Sequence, residues 1–177
     1  MSDSTAQTPD AASNEQRRMF VERPAAGWIE LTTPSREEYL DRIGVLLDRL
    51  AGTHLSKEAR DDVRLAVTEI VSNAMEWGNH GDERRRVRVS YGLFDNEIVF
   101  KVEDEGEGFC PEEVPDATKS PVETMRKRQE SGKRLGGYGI LVARKLMDRM
   151  MYNERGNVVI LAKRLSGPGE PEPTGNP

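Results

Sequence analysis

Residues 87–109 read VRVSYGLFDNEIVFKVEDEGEGF, and this stretch decides the fold. Apolar side chains alternate with polar or small ones on both sides of Asp95-Asn96, a pattern that predicts a β-hairpin. The inward face of the second strand carries Ile98, Phe100 and Val102 and ends on the carboxylate of Asp104. Such an ending is unusual, because burying an unpaired acid costs several kcal/mol.

The hairpin leads into a glycine-rich turn, Asp104-Glu105-Gly106-Glu107-Gly108-Phe109. Two glycines spaced by one residue let the backbone turn sharply and approach a planar ligand closely. An aspartate at a strand end can accept a hydrogen bond from an amino group on a base. A simple strand-terminating turn explains this segment equally well when the segment is considered alone.

A long amphipathic helix precedes the hairpin, with Ser56 as its N-cap and Gly78 as its stop. Glu69 and Asn73 are four residues apart, so both side chains project from one face of this helix. A carboxylate can accept a proton, and an amide oxygen is a hard ligand suited to Mg²⁺. Taken alone, this spacing is more often a chance pair on a solvated face. The apolar stripe consists of Val63, Ala66, Val67, Ile70, Val71, Ala74 and Trp77.

A third helix, over about 137–149, opens with Lys133-Arg134-Leu135-Gly136-Gly137-Tyr138-Gly139-Ile140. The first N–H groups of a helix are unpaired and the helix dipole favours anions, so this start predicts a phosphate site. Lys133 and Arg134 add positive charge beside it. The segment is not a P-loop, because Gly-x-x-x-x-Gly-Lys-Ser/Thr does not occur in the sequence. A helix start with a flexible hinge is the plainer explanation.

The predicted elements form one domain over residues 27–165, between a leader at 1–26 and a tail at 166–177 that both look disordered. We also predict a strand at 28–32, a helix at 35–51 and a final hairpin over 151–161. The long segment 106–136 is interpreted as a functional lid. Helices that precede and interrupt the strands predict an α+β fold: a two-layer α/β sandwich with a mixed, mostly antiparallel sheet and helices on one face.

The composition excludes several classes of protein. The 177 residues include 31 acidic and 26 basic ones, and the formal net charge of -5 argues against direct binding of nucleic acid. No stretch approaches the roughly 20 apolar residues of a membrane span, and no signal peptide is visible. The single cysteine, Cys110, excludes a multi-cysteine metal site, and His54 and His80 alone do not make a zinc site. We therefore expect a cytoplasmic protein without a membrane partner.

Together, the three motifs are more specific than any of them alone. Their order and spacing closely resemble the histidine-kinase-like ATP-binding fold shared by gyrase, heat-shock chaperones, mismatch-repair ATPases and histidine kinases. Within that superfamily the chain is most similar to the bacterial anti-sigma factor serine/threonine kinases, over about 27–165 and especially in the runs 66–74 and 136–148. It departs from their pattern at Trp77, where relatives often carry histidine, and at Cys110, where aspartate is common.

The resemblance implies an enzyme, a protein serine/threonine kinase that uses ATP and Mg²⁺. It implies Glu69 as the general base, Asn73 as the Mg²⁺ ligand and Asp104 as the acceptor for the adenine amino group. Family members bind a sigma factor, phosphorylate an antagonist protein and typically dimerise, so we expect these partners and a homodimer here. The other residues implied in nucleotide binding are Gly106, Gly108, Lys133, Arg134, Gly136, Gly137, Tyr138 and Gly139.

Two other functions stay open at this point. The chain could hold a nucleotide as a switching ligand and sequester a partner without transferring phosphate, although a pure binder has no need of a base at Glu69. It could also be a small ATPase in which the same glutamate activates water. Both alternatives use the same nucleotide site and differ from a kinase in the fate of the phosphoryl group.

Overall fold

The computed structural model describes residues 19–22, 27–52, 54–94, 96–109 and 138–165. Two strands, two helices, a hairpin, a third helix and a second hairpin follow one another along these ranges. The elements are β1 (Phe20–Glu22), β2 (Trp28–Pro34), a 3₁₀ turn (Glu37–Tyr39), α1 (Leu40–Ala51), α2 (Lys57–Asn73), a π-helical turn (Ala74–Gly78), β3 (Arg86–Leu93), β4 (Glu97–Asp104), α3 (Tyr138–Leu146), β5 (Arg149–Tyr152) and β6 (Val158–Arg164).

The strands form one six-stranded sheet in the order β1-β2-β3-β4-β6-β5. Each strand pairing among the described residues is antiparallel. In the centre, Tyr91 pairs with Phe100 and Phe100 with Leu161. The predicted α+β sandwich is confirmed, and its described part contains no parallel pair, although a mixed sheet was expected.

The core lies between the sheet and the three helices. Residues two apart on a strand face the same side, so every second residue of β3, β4 and β6 enters this core. The opposite face of the sheet carries charged ladders, such as Arg88 Nη2 donating to Glu103 Oε1 at 2.6 Å. The side chains buried most completely in the core include Ile43, Val63, Val67, Val71, Val87, Ile98, Phe100, Val102 and Leu161.

Several elements differ from the sequence-based prediction. Strand β1 lies inside the segment interpreted as a leader and pairs with β2, with Phe20 opposite Thr32. An edge strand is held by backbone hydrogen bonds, so it requires no apolar alternation. The helix predicted from residue 35 begins as a 3₁₀ turn, and α3 ends at Leu146, where Lys163 Nζ donates to the carbonyl of Leu146 at 2.6 Å.

None of the helices that the structure describes is long and apolar enough to cross a membrane.

Candidate functional site

Helix α2 presents Glu69 and Asn73 together. The Ser56 hydroxyl oxygen accepts the N–H of Ala59 at 3.2 Å, which starts the helix at Lys57 and fixes its phase. In that phase Val67 and Val71 point into the core, while Glu69 and Asn73 lie half-buried on another face. Glu69 and Asn73 therefore lie on the same face of α2, as their spacing predicts.

The Asn73 amide has a buried nitrogen, Nδ2, without a hydrogen-bond partner among the described residues. Buried polar groups are nearly always paired in folded proteins, so this amide is a candidate to bind a ligand. Turning the amide by 180° exchanges its nitrogen and oxygen, which would offer the oxygen to a cation. Because Mg²⁺ prefers oxygen ligands, this amide beside the Glu69 carboxylate fits such an ion.

The first turn of α3 packs directly against this pair. A Cβ placed on Gly139 would lie 2.5 Å from Glu69 Oε2 and 3.3 Å from Asn73 Nδ2, so only glycine fits there without displacing Glu69. The N–H groups in the first turn of a helix have no partner within the helix and carry partial positive charge. The packing thus brings anion-binding amides next to a carboxylate and an amide on α2.

The carboxylate of Asp104 closes β4 about half-buried, as its inward position predicts. Its Oδ1 accepts the N–H of Gly106 at 2.8 Å. Burial raises the pKa of the Asp104 carboxyl above its ordinary value; the Gly106 N–H and the charges of Arg155 and Arg85 oppose the rise, whereas the charge of Glu103 adds to it. In its ionised form, the carboxylate at this position can accept a hydrogen bond from a ligand.

Two glycines form the wall against which Asp104 lies. A Cβ on Gly78 would fall 2.6 Å from each Asp104 carboxylate oxygen. A Cβ on Gly106 would lie 2.8 Å from Asp104 Oδ1 and would collide with the carbonyl of Gly78. The sequence indicates Gly106 through the Asp-x-Gly-x-Gly spacing, whereas Gly78 reads only as the end of a helix.

A π-helical turn carries the chain from Asn73 to Gly78. In it, the Asn79 N–H donates to Ala74 O at 2.8 Å, closing a ring one residue larger than in an α-helix. Isolated π turns inside α-helices occur frequently at functional sites. Here the turn joins Glu69 and Asn73 to the wall of Asp104 through one continuous helix.

Asn79 supports the Asp104 loop, a role that the sequence pattern does not predict. Its side chain is 0% exposed. Its Nδ2 donates to Ser35 Oγ at 2.8 Å and to Arg86 O at 2.9 Å, and its Oδ1 accepts the N–H of Glu105 at 2.9 Å. The sequence contains no signal for this role, because the run Asn79-His80-Gly81-Asp82 has the composition of an exposed turn.

The turn between β5 and β6 holds the other side of the same loop. Arg155 Nη2 donates to Gly106 O at 3.0 Å and Arg155 Nε to Glu107 O at 3.2 Å. Gly108 and Gly156 both have positive φ, +83° and +77°, and each approaches the backbone of the other segment so closely that a Cβ would collide with it. The sequence predicts Gly108, but not the role of Arg155 or Gly156.

Several predicted residues lie outside the described ranges. These are Cys110, Lys133, Arg134, Gly136 and Gly137, and of Tyr138 only the backbone is described. In the described part of the chain, no group of three or more His, Cys, Asp or Glu side chains could hold a metal ion.

A comparison with protein families matches residues 33–163 to the histidine kinase-like ATPase domain. Among curated proteins, the chain is similar to the serine-protein kinase RsbW of Oceanobacillus iheyensis, with 26% identity over 77% of this chain and 85% of that protein. RsbW of Bacillus subtilis is 27% identical over 80% of this chain and 88% of the relative. RsbW of a Bacillus licheniformis strain is 29% identical over the same shares.

Proposed function

The chain belongs to the histidine kinase-like ATPase domain family, and on that premise we propose that it is an ATP-dependent protein serine/threonine kinase. The relatives that it resembles over about four-fifths of its length carry the name serine-protein kinase. One observation favours this function most strongly: the first turn of α3 packs on Glu69 and on the unpartnered amide of Asn73. The carboxylate of Glu69, the amide of Asn73 and the backbone N–H groups at the start of α3 thus lie next to one another.

Glu69 is proposed as the general base. In the transfer, the substrate hydroxyl oxygen forms a bond to the γ-phosphorus of ATP, the bond from that phosphorus to the bridging oxygen of ADP breaks, and the hydroxyl proton passes to Glu69. Phosphoryl transfer depends mainly on positioning and charge neutralisation. Gly139 contributes to positioning, because its missing side chain lets the helix approach within contact of Glu69.

Asn73 would hold Mg²⁺ through its side-chain oxygen. When bound, the ion would neutralise part of the negative charge on the phosphates. Backbone amides at the start of α3, including that of Gly139, would contact the phosphates together with Gly136, Gly137, Lys133 and Arg134.

Asp104 would bind the adenine base. Its ionised carboxylate accepts a hydrogen bond from the exocyclic amino group, which guanine lacks at that position. Gly78 and Gly106 let the carboxylate pack directly against the backbone, because a Cβ at either position would collide with it. Glu69 lies on α2, and Asp104 lies against Gly78 at the end of the π turn, so the base and the phosphates would bind at different ends of one site.

The partners are proposed from the same resemblance. As an anti-sigma regulator, the protein would sequester a sigma factor in the cytoplasm, phosphorylate an antagonist protein and act as a homodimer. The net charge of -5 fits a protein-binding regulator better than a nucleic-acid binder.

Incubation with γ-labelled ATP and Mg²⁺, with and without candidate antagonist proteins of the host, tests the proposal. Label on a serine or threonine of an antagonist is the expected result. Free labelled phosphate without protein labelling would indicate an ATPase, and bound but unreacted nucleotide would indicate a binding module. Either of those results, obtained with every candidate, contradicts the kinase assignment.

A further inference from the structure

We propose that Arg155 is a positioning residue that holds the nucleotide loop 104–109 in its binding conformation. This inference rests on the proposed function, because it assigns to that loop the binding of ATP. Arg155 itself lies on the exposed turn between β5 and β6 and is distant in sequence from the loop. Its contacts give it a role that neither the motifs nor the family match assigns.

The guanidinium of Arg155 joins two consecutive carbonyls of the loop. Nη2 donates to Gly106 O at 3.0 Å and Nε to Glu107 O at 3.2 Å. A planar guanidinium presents several N–H donors in a fixed geometry, so two such bonds restrict the orientation of both peptide groups. These two peptide groups flank Glu107, and the first of them begins at Gly106, the glycine that lies against Asp104.

The backbone of the same turn engages the loop at both of its ends. At the far end, the Phe109 N–H donates to Arg155 O at 3.1 Å. At the near end, Asp104 N donates to Asn157 O at 3.1 Å, and Asn157 Nδ2 donates to Asp104 O at 3.1 Å. The Arg155 side chain therefore braces the middle of a loop whose two ends are already fixed, and the middle contains Gly106.

The loop requires such a brace because of its composition. Gly106 and Gly108 have no side chains to pack, and glycine loses more conformational freedom on ordering than any other residue. Asn79 holds Glu105 from the opposite side, and none of its hydrogen bonds reaches Gly106 or Glu107. Without Arg155, we expect the free chain to sample loop conformations that cannot accept the base, which lowers the affinity for ATP.

The experiment compares Arg155→Ala with Arg149→Ala. Arg149 is also an exposed arginine, at the start of β5, but its guanidinium pairs with Glu97 on β4. We expect Arg155→Ala to weaken Mg-ATP binding about tenfold, measured by calorimetry, and to raise KM for ATP by the same factor with kcat unchanged at saturating ATP. The midpoint of thermal unfolding should move by less than about 3 °C, as for other surface substitutions. Arg149→Ala should bind like the wild type.

Arg155→Lys separates geometry from charge. Lysine keeps the positive charge near Asp104 but cannot span two carbonyls in the fixed geometry of a guanidinium. If Arg155 positions the loop, the lysine variant binds ATP nearly as weakly as the alanine variant. Affinity restored fully by lysine, or an alanine variant within twofold of the wild type, overturns the inference. A wild-type chain that binds no ATP instead contradicts the proposed function itself.

Discussion

Gly139 lies so close to Glu69 that a Cβ on the glycine would sit 2.5 Å from the carboxylate oxygen Oε2. The start of α3 therefore packs against the carboxylate on α2 so closely that residue 139 can carry only a hydrogen atom at this position. The added carbon in Gly139→Ala must displace either the proposed base or the helix that carries the phosphate-binding amides. We expect phosphoryl transfer to fall at least about tenfold, because small displacements of reacting groups cost large factors in rate.

Gly44→Ala is the matched control for that substitution. Gly44 is also a buried glycine in a helix, but a Cβ there would meet only the side chain of Arg64, with its Nε at 3.0 Å. A flexible side chain can move away, and alanine favours a helix interior over glycine by about 0.5–1 kcal/mol. We expect normal transfer and an equal or higher unfolding midpoint; equal losses in both variants would contradict the special role of the contact with Glu69.

Glu69→Gln tests the base. Glutamine keeps the size of the side chain but cannot accept the hydroxyl proton, so we expect transfer to fall at least about 100-fold while Mg-ATP binding stays within threefold. Single-turnover labelling and calorimetry measure the two quantities. Glu76→Gln changes a neighbouring acid on the π turn, three residues after Asn73, and should leave both values unchanged. Persistent transfer by Glu69→Gln would show that another group accepts the proton.

Asp104→Asn tests the adenine contact. The amide cannot accept as strongly as the carboxylate and presents donors toward the amino group of the base, so we expect affinity for ATP to fall about 10- to 100-fold. The control is Asp148→Asn, because Asp148 also accepts a backbone N–H, from Arg164 at 2.7 Å, on the far side of β6. Binding equal to the wild type in Asp104→Asn would remove Asp104 from the site.

The raised pKa of Asp104 predicts a dependence of binding on pH. The ionised form binds adenine, so the affinity for ATP falls as pH drops through the raised pKa, at a higher pH than for an ordinary carboxyl. The ratio of wild-type to Asp104→Asn affinity, measured from neutral pH down to about pH 4, the ordinary pKa of an aspartate, removes the titration of the nucleotide phosphates. A ratio that stays constant over this range would contradict the assignment.

The same shift has the opposite consequence for stability. A carboxyl whose pKa is higher in the folded chain than in the unfolded chain binds its proton more strongly when folded. Its contribution to stability therefore decreases as pH rises from the ordinary pKa to the raised one. Asp104→Asn should be no less stable than the wild type at neutral pH, so weaker binding by this variant would reflect the site and not unfolding.

The regular elements were largely predictable because their signals are local. The alternation of apolar and polar residues predicts the bounds of β3 and β4 to within one residue of the observed Arg86–Leu93 and Glu97–Asp104. The N-cap at Ser56 predicts the start of α2. The spacing of Glu69 and Asn73 and the end of β4 at Asp104 likewise followed from the periods of helix and strand. These residues carry the proposed chemistry.

The supporting residues were not predictable, because their roles arise from distant contacts. Asn79 bonds to Ser35, which is 44 positions away, and Arg155 bonds to Gly106, which is 49 positions away. Both lie in turns whose composition is typical of exposed loops. The strand β1 lacked a signal for the same reason, since its pairing with β2 depends on backbone groups that every residue has.

The π turn at Ala74–Gly78 constrains how many residues can lie between Asn73 and the end of the helix. Each residue of an α-helix advances the chain by about 100° around the axis, and a π turn accommodates one extra residue without breaking the helix. Deleting a single residue between Asn73 and Gly78 would restore a regular helix and rotate Gly78 away from the carboxylate that it faces. Substitutions in these five residues therefore leave the backbone path intact. Insertions and deletions there would move the base-binding end of the site relative to its phosphate-binding end.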